Sequence, residues 1–204
     1  MPAVFLYSDP HFGHQGVCKF MRNDGVTKLR PWDTAEEMDE ELIRRFNERV
    51  KPNDKCYFLG DVAINRKGLQ VLDRLNCKNL VLIKGNHDIF KLEDYTRYFR
   101  DIRAYNVLSS CILSHIPIHD ASLGRFYKNV HGHLHANQVM KACGVDRKTG
   151  KIQYGDEIDP RYMNVSVEQT DFAPILLEDV LKRMSQRDTE LGFKDDRPSI
   201  MVPD

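Results

Sequence analysis

The chain has 204 residues, 41% of them hydrophobic and 29% charged, an ordinary composition for a soluble globular protein with one full core. Its 30 basic and 30 acidic residues cancel, so no global field draws it to nucleic acid or to an anionic membrane, and attraction for phosphate has to come mainly from a local site. Five cysteines (Cys18, Cys56, Cys77, Cys111 and Cys143) are widely spaced without a Cys-x-x-Cys pair, which argues against a disulfide framework or zinc finger and predicts reduced, buried thiols. No signal peptide opens the chain and no run approaches about 18 apolar residues, so a cytoplasmic location without membrane contact is expected.

In chain order, residues 3–7 form a short, wholly apolar run that predicts a buried strand, broken by the turn signal Ser8-Asp9-Pro10. Residues 34–50 predict a helix. Asp33 or Thr34 caps it, Glu36, Glu37, Asp39 and Glu40 load its first half, and Met38, Leu42, Ile43, Phe46 and Val50 recur at helical spacing. A second strand at 55–59 leads into Gly60-Asp61. Leu69, Val71, Leu72 and Leu75 suggest a helix, and a third strand at 80–83 leads into Gly85-Asn86-His87-Asp88. This alternation implies parallel strands with helical crossovers, each strand delivering a polar cluster at its carboxyl end. The second half predicts short strands at 102–108, 111–113, 126–130 and 162–167, a hairpin turn at 106–110, and a last helix at 177–186. Residues 136–160 read as a polar, irregular insertion or hairpin near the site, turning at 146–150. The whole is one domain, 1–187, with a loose charged tail at 188–204.

Most of the eight histidines fall in clusters placed just after apolar runs: Asp9-Pro10-His11, Gly60-Asp61, Gly85-Asn86-His87-Asp88, Ser114-His115 and Gly132-His133-Leu134-His135. Strand alternation would put Asp9 and His11 on one face and within reach of one metal, and His133 and His135 likewise. Asp61 can bridge two ions, Asn86 offers a neutral carbonyl oxygen and His115 an imidazole. Against two divalent ions, Asp9 and Asp61 neutralise only half of the charge, and a bridging hydroxide leaves a centre suited to a phosphate anion. Mixed oxygen and nitrogen ligands without thiolate favour Mn²⁺ first, with Fe, Zn²⁺ or Ni²⁺ as alternatives. His87, beside Asn86, is a candidate to protonate a leaving alkoxide, with Asp88 orienting its ring.

In this order the motifs Asp-x-His, Gly-Asp, Gly-Asn-His-Asp, His and Gly-His-x-His resemble those of the calcineurin-like metallophosphoesterases, over roughly residues 3–180. Ser8-Asp9-Pro10-His11-Phe12-Gly13-His14, Arg30-Pro31-Trp32, Leu59-Gly60-Asp61-Val62-Ala63 and Asn164-Val165-Ser166-Val167 look like the small, capless branch of bacteria and their phages. The resemblance implies an α/β fold, a four-layer αββα sandwich with two mixed β-sheets. It implies one metal held by Asp9, His11, Asp61 and His135, and another by Asp61, Asn86, His115 and His133. It further implies His87 as general acid and a metal-bound hydroxide attacking in line, without a covalent enzyme intermediate. The segment from Gly60 to Arg66 lacks the Asp-Arg pair of the protein phosphatases, which weakens a Ser/Thr-phosphatase reading.

His14, Arg30 and Arg66 are candidate substrate-binding residues. His14 either contacts substrate or holds the first loop. Arg22, Lys28 and Arg30 either line a phosphate pocket, with Trp32 stacking on a base, or belong to a solvated loop with Trp32 packed beneath it. His119 reads as a surface residue or one that supports the ligands from behind, and His131 as a buried, hydrogen-bonded one. The expected activity is a dinuclear metal-dependent phosphodiesterase acting on a small or nucleotide-like phosphate. A phosphomonoesterase, a nuclease or nucleic-acid end-processing enzyme, and a non-catalytic metal-bearing scaffold are the alternatives. Zero net charge argues against tight duplex binding.

Overall fold

In a computed structural model of the chain, which describes residues 2–194, the first half builds one sheet, completed by a strand at 175–176, and the second half builds another. The elements run β1 (Val4–Tyr7), α1 (Ala35–Arg49), β2 (Lys55–Phe58), α2 (Arg66–Leu69), β3 (Leu80–Ile83), α3 (Leu92–Thr96), β4 (Asp101–Arg103), β5 (Asn106–Leu108), β6 (Cys111–Leu113), β7 (Asn129–His131), β8 (Met140–Val145), β9 (Ile152–Ile158), β10 (Tyr162–Asn164), β11 (Ile175–Leu176) and α4 (Leu177–Glu190). The first sheet has the order β11-β1-β2-β3-β4, parallel except for β11, which runs antiparallel to β1. The second has the order β10-β7-β6-β5, with β10, β7 and β6 parallel and β5 antiparallel. The expected α/β sandwich of two mixed sheets is the observed architecture.

The first sheet is apolar on both faces, which is why its strands read as unbroken hydrophobic runs. Phe5, Tyr7, Cys56, Phe58, Leu80 and Leu82 face α1, whose buried Met38, Leu42 and Phe46 recur at the predicted spacing. The Thr34 side chain caps α1 by accepting the N–H of Glu37. The alternate residues Leu6, Tyr57, Leu59, Val81 and Ile83 pack with Leu113, Val130, Met163 and Val165 of the second sheet and with Val180 and Met184 of α4. On the far side of the second sheet the cover is thin: Ile112 and Tyr162 meet Leu123, from a 3₁₀ turn at 120–123, and Val139.

Several elements differ from the sequence expectation. The helix expected around Leu69–Leu75 is the single turn α2 followed by a 3₁₀ turn at 70–74. Three residues per turn align Leu69, Leu72 and Leu75, and all three are buried. The strand expected at 102–108 divides at Ala104-Tyr105, so that β4 closes the first sheet and β5 opens the second. The segment at 136–160 holds an antiparallel hairpin of β8 and β9, largely exposed, whose pairing shifts register twice between Met140 and Gly144 and whose turn lies at 146–150 as expected. The helix α4 continues past the expected boundary to Glu190, because the Asp188 carboxylate accepts from Tyr127 Oη and the buried Lys128 Nζ. The expected tail from 188 therefore begins inside a helix, and its residues 195–204 lie outside the described residues. Among the described residues no helix is long and apolar enough to cross a membrane.

One carboxylate of α1 reaches toward the first loop: both oxygens of Asp39 accept the Gly13 N–H, at 3.1 and 3.0 Å. Burial, aided by Glu36 and Glu40, outweighs the Gly13 amide and Arg30 and raises the Asp39 pKa to about 6. The folded chain then holds this proton more tightly than the unfolded one, so the contribution of Asp39 to stability is complete below about pH 4 and is lost as pH rises through about 6. In Asp39→Asn the amide oxygen still accepts from Gly13 but does not titrate. Thermal unfolding across this range should show the wild type losing stability relative to Asp39→Asn as pH rises; parallel profiles contradict the assignment.

Candidate metal centre

The carboxyl ends of β1, β2 and β3, and of the parallel pair β6 and β7, open into five loops that carry Asp9 and His11, Asp61, Asn86 and His87, His115, and His133 and His135. In two places the loops approach so closely that only glycine fits. A Cβ on Gly132 would overlap Ser8 Oγ and Asp9 Oδ2, and one on Gly85 would overlap Asp61 Oδ1.

Strand alternation is not what aims these side chains. Asp9, His11, Asp61, His133 and His135 all have left-handed backbone, with φ of 57°, 51°, 53°, 68° and 50°. Each loop turns sharply just past its strand and throws its ligand inward. The consequence for the two His-x-His and Asp-x-His pairs differs. Asp9 and His11 stay together with His135, with ligand atoms all within 4.8 Å of one another. His133 joins Asp61 and His115 in a second group of the same closeness. His133 and His135 therefore fall into different groups, which corrects the expectation from strand alternation that they face one metal together.

Asp61 stands between the groups. Its Oδ2 lies 3.6 Å from His11 Nε2 and 3.3 Å from His115 Nε2, while its Oδ1 accepts the His87 N–H at 2.8 Å. The His115 Nδ1 donates to the Leu59 carbonyl at 2.8 Å, which turns Nε2 toward Asp61 and toward Asn86 Oδ1, 2.9 Å away. An unprotonated Nε2 facing two oxygens is an arrangement that a cation between them would stabilise. Without one a proton serves: burial lowers the His115 pKa, but the Asp61 hydrogen bond and the charges of Asp9 and Asp61 outweigh it and raise the pKa. Both ring nitrogens of His11 are buried with no hydrogen-bond partner among the described residues, an arrangement that fits a metal ligand better than a packed core histidine. Burial and the Arg30 charge hold His11 well below the usual histidine range. Burial alone would raise the Asp61 pKa, but His115, the His87 amide and His11 bring it down to about 2. Asp9 is raised by burial, against the pull of His115, His135 and Ser8. The donor set is therefore four imidazoles, two carboxylates and one amide oxygen, which suits hard or borderline divalent ions.

No family model matches this chain. It is 31% identical over 186 residues to the uncharacterized protein MJ1445 of Methanocaldococcus jannaschii, an alignment covering 89% of this chain and 91% of that one. The chain belongs to the same family as MJ1445. Among solved structures, the protein of unknown function AQ665 from Aquifex aeolicus superposes with a TM-score of 0.61 at 20% identity, over 90% of this chain and 100% of that one, which shows a shared fold.

A buried pair behind the centre was not anticipated from the sequence. Glu168 Oε1 accepts from His135 Nδ1 at 3.0 Å and from Arg30 Nε at 2.9 Å. Arg30, fully buried, also donates to the carbonyls of Pro10 at 2.7 Å and Asp9 at 2.6 Å. It clamps the first turn and is not open to substrate, which corrects its expected role. The His135 carbonyl accepts from Asn164 Nδ2 and Gln169 Nε2, both at 2.9 Å. Asp88 also differs from expectation. Its carboxylate accepts the N–H groups of Gly85, Asp61 and Val62 at 2.8–2.9 Å and makes no hydrogen bond to the His87 ring, so it locks two loops together.

The remaining candidates separate clearly. The exposed His87 has its ring 5.4 Å from that of His11, at the mouth of the centre. His14 Nδ1 accepts the Val17 N–H at 2.7 Å, so its Nε2 carries the proton, and its ring lies 5.6 Å from that of His11. Arg66 pairs with Asp94 and lies over Phe90, without a contact to the ligand residues. Lys28 pairs with Asp33, and Trp32 packs edge-on against Phe172 at 4.9 Å. His119 is exposed; His131 is buried, with Nδ1 donating to the Gly132 carbonyl, and burial pushes it down to about 4.

Carboxylates that hold a metal-binding histidine set its orientation and basicity, and their loss typically weakens metal affinity about 10- to 100-fold. In Glu168→Gln, calorimetric titration with Mn²⁺ should show one of two binding events weakened by that order. The unfolding free energy should fall by about 3–5 kcal/mol, because Arg30 stays buried without its counter-charge. Unchanged affinity for both ions contradicts the arrangement.

Proposed function

We propose that this protein is a phosphoester hydrolase that works with two divalent metal ions, Mn²⁺ foremost, on small or nucleotide-like phosphodiesters. The observation that supports this most directly is the position of the Asp61 carboxylate between the two ligand groups, beside a His11 ring whose nitrogens have no hydrogen-bond partner among the described residues. Asp9, His11 and His135 would hold one ion, Asn86, His115 and His133 the other, with Asp61 shared. A pair of such ions, when bound, polarises phosphoryl oxygens and makes water a competent nucleophile near neutral pH.

The chain supplies the rest. Two carboxylates against two divalent ions leave the centre positive within a chain of zero net charge, so attraction for phosphate is local. His14 is fixed by Val17 with its Nε2–H free to donate to a phosphoryl oxygen. His87, exposed at the mouth, is positioned to deliver a proton to the departing ester oxygen. Five free cysteines, four of them buried, and the lack of a membrane-crossing helix among the described residues agree with work in the cytoplasm.

The test is an assay of chelator-stripped protein, with and without Mn²⁺, on bis-p-nitrophenyl phosphate and p-nitrophenyl phosphate. Mn²⁺-dependent turnover, faster on the diester, is expected. Asp61→Asn should lower kcat/KM by roughly two orders of magnitude or more, and His87→Ala should lower kcat, most for poor leaving groups, while both ions still bind. Turnover undiminished by chelation, or wild-type rates from Asp61→Asn, would sink the reading.

A further inference from the structure

The hairpin spanning residues 20–29 supplies no ligand, yet it is built against the centre. Its strands are joined by Leu29 N–H to the Phe20 carbonyl at 2.8 Å and Arg22 N–H to the Thr27 carbonyl at 2.7 Å. Asp24 Oδ1 accepts the amides of Val26 and Thr27, at 2.9 and 2.8 Å, and so fixes the tip. Asn23 Nδ2 then ties that tip to Asn137 Oδ1 at 2.7 Å, two residues beyond His135. At its base, Val17, Cys18 and Leu29 enter the core.

Phe20 does not enter the core. It is 51% exposed, and its ring meets the His14 ring at 5.9 Å, the same His14 ring that stands 5.6 Å from His11. Phe20, Tyr105 and Tyr154 are the exposed aromatic side chains among the described residues, and of these Phe20 has a ring contact with a residue of the centre. Trp32, the aromatic that the sequence offers for stacking, is committed to Phe172. The neighbouring Met21, 50% exposed, extends the apolar surface with a soft, adaptable side chain.

Resting on the hydrolase reading above, we propose that Phe20 determines specificity: it is the platform on which the base of a nucleotide substrate stacks while the phosphate occupies the centre. Phe20 is linked to His11 through the His14 ring, so the base and the phosphate of one nucleotide would lie on either side of His14. Every nucleobase has a π-face, and an alkyl or sugar arm gains far less from an aromatic one. The hairpin is ordered by its own hydrogen bonds and by Asn137, so stacking requires little further ordering of the chain.

The test compares wild type, Phe20→Ala and Phe20→Trp, all loaded with Mn²⁺, for calorimetric binding of AMP and of inorganic phosphate. Phe20→Ala should weaken AMP on the order of 10-fold and leave phosphate unchanged; Phe20→Trp should restore AMP. Because Phe20 is half exposed, the three proteins should unfold at similar temperatures. In turnover, KM for the p-nitrophenyl ester of thymidine 5′-phosphate should rise by a similar factor in Phe20→Ala, with KM for ethyl p-nitrophenyl phosphate unchanged. Wild-type protein that binds AMP no better than phosphate, or a variant that weakens both ligands alike or neither, overturns the proposal. The base-dependent binding pattern without turnover of any ester keeps the nucleotide site and rejects hydrolysis. Turnover indifferent to Phe20 does the reverse.

Discussion

Five side chains of the centre depend on a backbone that L-residues avoid. Asp9, His11, Asp61, His133 and His135 each occupy the left-handed region, at a cost of about 1–2 kcal/mol apiece. Taken together, that rivals the whole net stability of an ordinary domain. The conformation persists because the surroundings over-determine it. Arg30 holds the Asp9 and Pro10 carbonyls, Asp88 gathers three amides from two loops, the His133 N–H is seated on the Asp9 carboxylate, and Asn164 and Gln169 hold the His135 carbonyl. Much of the buried polar chemistry in this fold is spent on keeping these turns closed.

The electrostatics of the assembled centre give that investment a purpose. Oxygen and nitrogen acceptors converge on one another around Asp61 and His115, and the ring nitrogens of His11 have no hydrogen-bond partner among the described residues. Such a donor set is suited to positive charge. Glu168, lowered by Arg30 and His135 against its burial, stays ionised behind His135, whereas His115 is backed by a neutral carbonyl. The two halves of the centre are therefore supported by different chemistry: an ion pair behind one and a backbone oxygen behind the other.

Much of this could be read from the chain. The first three strands were legible because burial on both faces leaves them without polar interruption, and the ligand clusters were legible because each follows such a run. Strand alternation alone missed the partition of the histidines, because it predicts a common face for His133 and His135, while left-handed turns send them to different groups. Glu168 escaped notice because it lies 33 residues beyond its partner His135 with nothing local to mark it. Arg30 and Asp88 carried the right residue types for substrate binding and catalysis, but burial and backbone partners assign them to structure. The divided strand at 102–108 and the 3₁₀ turn at 70–74 were hidden for a related reason: apolar spacing reports which side is buried, but not which sheet a residue joins or how tightly a turn is wound.

The central claim is that the loops around Asp61 form one centre for two cations. Anomalous diffraction from crystals grown with Mn²⁺ tests it most directly. The account predicts two peaks roughly 3.5–4 Å apart, one beside Asp9, His11 and His135 and the other beside Asn86, His115 and His133, with Asp61 contacting both. A single peak, or peaks that leave Asp61 without a metal contact, would contradict it.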